Sequence, residues 1–262
     1  MKRIGIVCLC LIAASGAGAA LAASAAAELP EYVSCQRLAN GAKGRYESKS
    51  CSEESAGGEG KYELLRGFGK DANFSSRAGR SRLESVEVPE AMECKTTHLS
   101  GELTGSKDEQ NIIVTFAGCE AAGSKCNSAG AKAGVIVTSA LKGELGYLAG
   151  KGTPTPSVGV LLTQQEAPEA AEFSCEGLAA RVHGPLIAEV TGNINTLSAE
   201  SVYSFRETSG LPQYTSFEGG TFLEDAWRWE FNTGRGFEPE GGQVAGLELH
   251  AGVTSTAVEV RA

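Results

Sequence analysis

The stretch that decides the fold runs from Asn111 to Leu148 and reads NIIVTFAGCEAAGSKCNSAGAKAGVIVTSALKGELGYL. Its first part is rich in β-branched and aromatic residues, and in a strand Ile112, Val114 and Phe116 share one face. Two more short apolar runs follow before the stretch ends. Short apolar runs separated by turn residues are typical of antiparallel β-structure, so the stretch predicts a core built from strands.

Two cysteines, Cys119 and Cys126, flank a six-residue segment within this stretch. Gly123 and Ser124 favour a turn there, which places the two sulfurs across the mouth of the turn. A bridge between them closes a short loop and contributes about 2.5 kcal/mol in the chain-entropy model. Because no second pair of metal ligands lies nearby in the sequence, we favour a disulfide over a zinc site.

The first 27 residues have the features of an export leader. Lys2 and Arg3 precede an apolar segment at residues 4–14, and small residues with two acceptable cleavage sites follow. Serine and glycine residues interrupt the apolar segment too early for a membrane anchor. We therefore expect a secreted protein, extracellular or at the cell surface, with no membrane insertion after the leader is removed.

The charge balance argues against partners that recognise a basic surface. The sequence has 23 Lys and Arg against 32 Asp and Glu, a formal net charge of −9 at pH 7. Loss of Lys2 and Arg3 with the leader makes this charge −11. We expect such a protein neither to neutralise a nucleic-acid backbone nor to adhere electrostatically to anionic lipid.

Six cysteines remain after the leader, and an even number in an exported chain predicts three disulfides. They are Cys35, Cys51, Cys94, Cys119, Cys126 and Cys175. Sequence alone does not choose among the many possible pairings. We favour two local bridges, Cys35–Cys51 and Cys119–Cys126. The remaining pair, Cys94–Cys175, then clamps two distant strands.

Glycine content and the spacing of apolar runs predict an all-β fold. Glycine accounts for 34 of the 262 residues, and no segment shows the periodicity of an amphipathic helix. Short strands with frequent turn signals predict an antiparallel β-sandwich or a jelly-roll-like fold, stapled by disulfides. We expect a signal peptide at 1–27, a small cysteine-bounded hairpin unit with its connection at 28–81, and the main β-sandwich domain at 82–262.

Several strings after the leader resemble those of a group of uncharacterised exported actinobacterial proteins. The strings are YVSC (32–35), GRY (44–46), GKYEL (60–64), IVTFAGCE (113–120), LKGELGY (141–147) and SFEGG (216–220). The resemblance spans most of the chain after the leader. It implies export and a disulfide-bonded β-fold, and it implies no activity, ligand or catalytic residue.

The most aromatic part of the sequence lies between residues 215 and 237. If residues 227–231 form a strand, Trp227 and Trp229 project from one face. With Tyr214 nearby, they are candidate ligand-binding residues that stack on the sugar rings of a glycan or another cell-envelope component. The alternative is that these rings cover the hydrophobic core, where their large area favours burial.

The sequence contains no recognisable catalytic motif. No serine lies in a Gly-x-Ser-x-Gly elbow, and His98 approaches His183 as a metal pair only if Cys94 is bonded to Cys175. We therefore predict no catalytic residue, no metal and no other cofactor. The favoured function is a secreted, non-catalytic structural or binding module. The alternative is a secreted hydrolase acting on polysaccharide, for which the abundant glutamates would supply paired carboxylates.

Overall fold

The computed structural model describes residues 29–69, 72–85, 91–208, 211–221, 228–232, 237–245, 247–253 and 257–262. The predicted leader at residues 1–27 lies outside these ranges. Within them, the secondary structure consists of β-strands without a helix. The predicted all-β class is confirmed, with curled antiparallel sheets packed in a sandwich-like manner and three disulfides.

The strands are numbered in chain order. The first twelve are β1 (Glu31–Arg37), β2 (Tyr62–Arg66), β3 (Asn73–Ala78), β4 (Ser81–Ser85), β5 (Met92–Cys94), β6 (Thr96–Leu103), β7 (Asp108–Ala117), β8 (Glu120–Ala121), β9 (Ser124–Asn127), β10 (Val135–Val137), β11 (Leu141–Ala149) and β12 (Ser157–Gln164). The others are β13 (Ala171–Cys175), β14 (Leu178–His183), β15 (Leu186–Thr191), β16 (Glu200–Phe205), β17 (Glu207–Thr208), β18 (Leu211–Pro212), β19 (Ser216–Phe217), β20 (Gly220–Thr221), β21 (Arg228–Asn232), β22 (Phe237–Ala245), β23 (Leu247–Val253) and β24 (Val258–Arg261).

Two closed sheets make up most of the fold. The larger sheet has nine strands in the order β10-β7-β11-β12-β15-β16-β23-β3-β6, and β6 also pairs with β7, which closes the sheet into a ring. The second is a closed barrel in the order β13-β14-β21-β22-β4-β5-β8-β9. Apart from β10, the strands follow one another in chain order around each ring, and short runs of strands alternate between the two sheets along the chain.

Extended segments pass directly from one closed sheet to the other. Lys95 alone separates β5 of the barrel from β6 of the nine-stranded sheet. Met92 and Cys94 are buried before this residue, and Thr97 and Leu99 are buried after it. The inward-facing positions therefore shift by one residue at the junction, as they do at a β-bulge.

One hydrophobic core extends through both closed sheets. Its members include Ile112 and Val160 from the nine-stranded sheet, Leu83 and Phe173 from the barrel, and Tyr32 from β1. Complete burial of an aliphatic side chain such as Ile112 stabilises a fold by roughly 1.5–3 kcal/mol. The shared core packs the two sheets against one another.

The N-terminal strands form a separate three-stranded sheet in the order β2-β1-β24. A small cluster of Cys35, Tyr46 and Cys51 packs beside it, and the predicted Cys35–Cys51 disulfide is confirmed. On its other edge β1 pairs with the C-terminal strand β24. Strand β3, which lies in the range predicted for the N-terminal unit, pairs with β6 and β23 of the nine-stranded sheet.

The other two predicted disulfide pairings are wrong. Cys94 is bonded to Cys119, and Cys126 is bonded to Cys175. Cys126 and Cys175 lie on the neighbouring barrel strands β9 and β13, and Cys94 of β5 is bonded to the residue that precedes its neighbour β8. The Cα atoms of the two bonded pairs, Cys94–Cys119 and Cys126–Cys175, lie 3.9 and 4.2 Å apart. Cys119 and Cys126 do lie across the mouth of the predicted turn, but a backbone hydrogen bond joins them. Such pairs hold their side chains further apart than pairs without that bond.

Candidate functional site

The three predicted aromatic ligand-binding residues belong to different parts of the fold. Trp227 lies outside the described residues. Trp229 lies on β21 of the barrel, where its backbone pairs with Val182 and Glu240, and its side chain is outside the described part. Tyr214 lies before β19 and packs on the outside of the nine-stranded sheet. The stacking platform therefore stays a prediction.

Tyr214 is a half-buried member of an apolar cluster on the outer face of the nine-stranded sheet. The cluster contains Leu148, Leu161, Ile187 and Phe217. The pKa of Tyr214 is raised to about 12, mainly by burial and next by a hydrogen bond to Glu189. The phenol is therefore a neutral hydrogen-bond donor at physiological pH, and part of its ring packs against the apolar cluster.

The two histidines considered as a metal pair lie on strands of different sheets. His98 lies exposed on β6, with Nδ1 2.6 Å from the carbonyl oxygen of Ser76. His183 lies on β14 of the barrel, and the Cys94–Cys175 bond that would have joined the two regions does not form. In the described part of the chain, no group of three or more His, Cys, Asp or Glu side chains is arranged to hold a metal ion.

The interior of the fold contains a buried carboxyl group. Glu109 on β7 is 1% exposed. Its Oε1 atom accepts hydrogen bonds from the hydroxyls of Tyr32 and Tyr203, the second at 2.9 Å. The two hydroxyl oxygens lie 3.5 Å from each other. We call these three residues the Glu109 cluster.

A bulge in β7 turns Glu109 inward. Ile112 and Val114 are the buried positions further along this strand, so strict alternation would leave residue 109 facing solvent. Gln110 and Asn111 are both exposed, and the pairing of β7 shifts register against both β6 and β11 at this level. Asn111 has a φ of +52°, a conformation that asparagine tolerates better than most residues. The extra residue re-aims the glutamate into the core.

The opposite strand leaves space for this carboxyl group. Gly143 on β11 pairs with Glu109, and a Cβ atom at Gly143 would lie 3.0 Å from Glu109 Oε2. Both residues also line a surface cavity of about 360 Å³, together with Asp108, Gln110, Lys142, Glu144, Leu161 and Thr163.

Burial dominates the electrostatics of the cluster. It raises the pKa of the Glu109 carboxyl from 4.5 to about 7, against the hydrogen bonds from Tyr32 and Tyr203, which lower it. The pKa of both tyrosines lies well above the usual value. Burial is the largest cause, and the negative charge of the nearby Glu109 carboxylate is the second. The tyrosines remain neutral donors, and Glu109 is the group in the cluster that exchanges a proton near neutral pH.

The Glu109 cluster could not be predicted from the sequence. Residues 105–110 form a hydrophilic run, and such a run carries no sign of the bulge that buries Glu109 just after β7 begins at Asp108. Tyr203 lies 94 residues further along the chain, so no local pattern links it to Glu109.

Comparisons of the chain with protein-family models, with curated proteins and with solved structures find no match. Across the described residues, no helix is long and apolar enough to cross a membrane.

Proposed function

We propose that the protein is a secreted, non-catalytic module, extracellular or at the cell surface, with a structural or binding role. Export is supported by the predicted leader together with the three disulfides, since such bonds form and persist in oxidising compartments. The two closed sheets with a shared core provide a rigid frame of the kind on which binding surfaces are displayed.

The observation that carries the non-catalytic part of the proposal is the environment of Glu109. Its Oε1 atom is occupied by two tyrosine hydroxyls, and almost all of its surface is buried. A general acid or base must come within hydrogen-bond reach of the substrate atom that it protonates or deprotonates. The contacts of Glu109 to Tyr32 and Tyr203 instead support a role in holding separate parts of the chain together.

The proposed ligand class is a glycan or another component of the cell envelope, with Trp227, Trp229 and Tyr214 as contact residues. The test is a glycan array beside a broad screen for polysaccharide hydrolysis, using the full chain expressed with its leader in a secreting host. We expect a secreted product without free thiols that binds and releases no sugar. Retention inside the cell, free thiols or turnover of a polysaccharide would overturn the proposal.

Variants locate the binding surface. Trp229→Ala should reduce binding at least tenfold if its indole stacks on a sugar ring. Leu178 on the adjacent strand β14 is 39% exposed, so Leu178→Ala is the matched control and should leave binding unchanged. Equal binding by both variants would show that Trp229 does not contact the ligand, and the proposal of a binding module would stand.

One observation favours a secreted polysaccharide hydrolase as a second candidate. Glu109 is among the residues that line a surface cavity with Asp108 and Glu144, and the pKa of its carboxyl group, about 7, is that of a general acid in glycoside hydrolysis. If the hydrolysis screen is positive, Glu109→Gln should abolish turnover while Glu102→Gln on neighbouring β6 should not. Full turnover by Glu109→Gln would exclude Glu109 as the acid.

A further inference from the structure

The Glu109 cluster joins parts of the chain that are distant in sequence. Tyr32 belongs to β1 of the three-stranded sheet, whereas Glu109 and Tyr203 belong to β7 and β16 of the nine-stranded sheet. We infer that Glu109 is a pH-sensitive latch, whose protonation fixes the three-stranded sheet of β1, β2 and β24 to the end of the nine-stranded sheet. This inference goes beyond the proposed function and does not depend on it.

The position of β1 supports a capping role. The backbone N–H of Tyr32 donates to the carbonyl oxygen of Ser106 at 2.6 Å, and the N–H of Gly67 donates to the carbonyl oxygen of Tyr32 at 2.8 Å. Ser106 lies in the connection between β6 and β7, at one end of the closed sheet. The rings of Tyr32 and Phe68 pack 5.7 Å apart, centroid to centroid. The three-stranded sheet therefore covers this end, and the Tyr32 side chain reaches inward to Glu109.

The groups that face Glu109 offer no compensating positive charge in the interior. From β1 and β16 it meets only the neutral hydroxyls of Tyr32 and Tyr203. On the outer side, Asp108 of its own strand and Lys142 and Glu144 of β11 line the shared cavity. These three side chains are exposed, so water screens their charges. No ion pair joins Glu109 to a cation among the described residues.

Deprotonation places a negative charge in this interior, and detachment of β1 lets water reach it. The open state is therefore favoured as pH rises, because it hydrates the carboxylate that the closed state desolvates. The pKa is about 7 in the closed state against 4.5 for an ordinary glutamate. Opening of the three-stranded sheet should become more frequent by up to ~300-fold between acidic and alkaline pH.

The test is hydrogen exchange of the full oxidised chain between pH 5 and 8, with rates corrected for the intrinsic effect of pH on each amide. Peptides covering β1 report on the latch, and peptides covering β12 of the same molecule report on global opening. We expect β1 to exchange through an opening of lower free energy than that of β12 throughout this range, and the protection of β1 to fall at least tenfold from pH 5 to pH 8. Protection of β1 that equals that of β12, or that does not change with pH, would overturn the inference.

Two variants separate the latch from general effects of pH. Glu109→Gln keeps an oxygen acceptor for both tyrosines and cannot ionise, so β1 should stay equally protected at pH 5 and 8. Glu144→Gln removes a carboxylate from the same cavity and should behave as the wild type does. An unchanged pH response in Glu109→Gln would overturn the inference. If this variant does not fold, the comparison of β1 with β12 in the wild-type chain still decides.

Discussion

The backbone N–H of Cys126 donates a hydrogen bond of 3.0 Å to the carbonyl oxygen of Cys119, yet the two sulfurs are bonded to other cysteines. In antiparallel sheets, hydrogen-bonded partners have Cα atoms about 5.5 Å apart, and the alternate partners about 4.5 Å apart. Residues in a strand direct their N–H and carbonyl groups to one side, so Cys126 meets Cys175 on its other side at the closer spacing. The backbone pairing thus places the sulfur of Cys126 beside Cys175.

The Cys126–Cys175 bond should stabilise the fold more than Cys35–Cys51 does. The two bonds span 49 and 16 residues, and the chain-entropy model assigns them about 4 and 3 kcal/mol. We expect the double variant Cys126→Ser/Cys175→Ser to lose more unfolding free energy than Cys35→Ser/Cys51→Ser in urea titrations. The reverse order would contradict the prediction. A non-reducing peptide map of the wild type that joins Cys119 to Cys126 would contradict the pairing itself.

The ring of Phe217 packs directly against Gly146 on β11. A Cβ atom at this glycine would lie 2.4 Å from Phe217 Cζ, so Gly146→Ala forces the ring out of its place. Overpacking of this kind costs about 1–3 kcal/mol, which thermal or urea unfolding would detect. Phe217→Ala in the same chain removes the clash, so Gly146→Ala should cost less in that background than in the wild type.

Gly79, between β3 and β4, is the matched control for this substitution. A Cβ atom there meets nothing within 4 Å, so Gly79→Ala should change the unfolding free energy by less than about 0.5 kcal/mol. A loss at Gly79 as large as that at Gly146 would show that the glycine effect does not come from contact with Phe217.

The strands could be predicted from sequence wherever apolar alternation is local. In the stretch 182–190, the apolar residues Val182, Leu186, Ile187 and Val190 are all buried. The junctions between the two closed sheets could not be predicted in this way. Residues 92–99 contain neither glycine nor proline to mark a break, yet the structure has β5 and β6 with a shift at Lys95. Such a shift depends on how both sheets close, and closure is a long-range property that no local pattern records.

The candidate site could be predicted less well than the fold. The inward position of Glu109 depends on the register of β7 against β11 and on a hydroxyl group from β16. Both conditions appear only when distant strands are paired. The cysteine content predicted three bonds correctly, but the partners of Cys119 and Cys126 depended on backbone hydrogen bonding that sequence spacing does not reveal.

Because of Glu109, the free energy of unfolding should be larger at acidic pH than above pH 7. Its pKa is about 7 in the folded state and 4.5 in an ordinary environment, so between these values the folded state binds more protons than the unfolded state. The contribution is complete below about pH 4.5 and is lost as pH rises through 7, a change of roughly 3 kcal/mol. The difference in unfolding free energy between wild type and Glu109→Gln, measured at pH 4 to 8, should show this fall. A difference that is constant with pH would contradict it.

Tyr203→Phe should raise the pKa of Glu109 further. The Tyr203 hydroxyl donates to Oε1 at 2.9 Å, and this hydrogen bond lowers the pKa of the carboxyl group. The substitution keeps the packing of the ring on Phe74, 6.3 Å away between centroids, so it removes the hydrogen bond alone. We expect a loss of about 1–2 kcal/mol of unfolding free energy, larger above pH 7 where the carboxylate needs both donors. A carbon-13 NMR titration of the Glu109 carboxyl should show an upward shift in Tyr203→Phe and none in the control Tyr147→Phe, whose ring lies beside Lys151. An unchanged or lowered pKa in Tyr203→Phe would show that the hydroxyl does not stabilise the charged form.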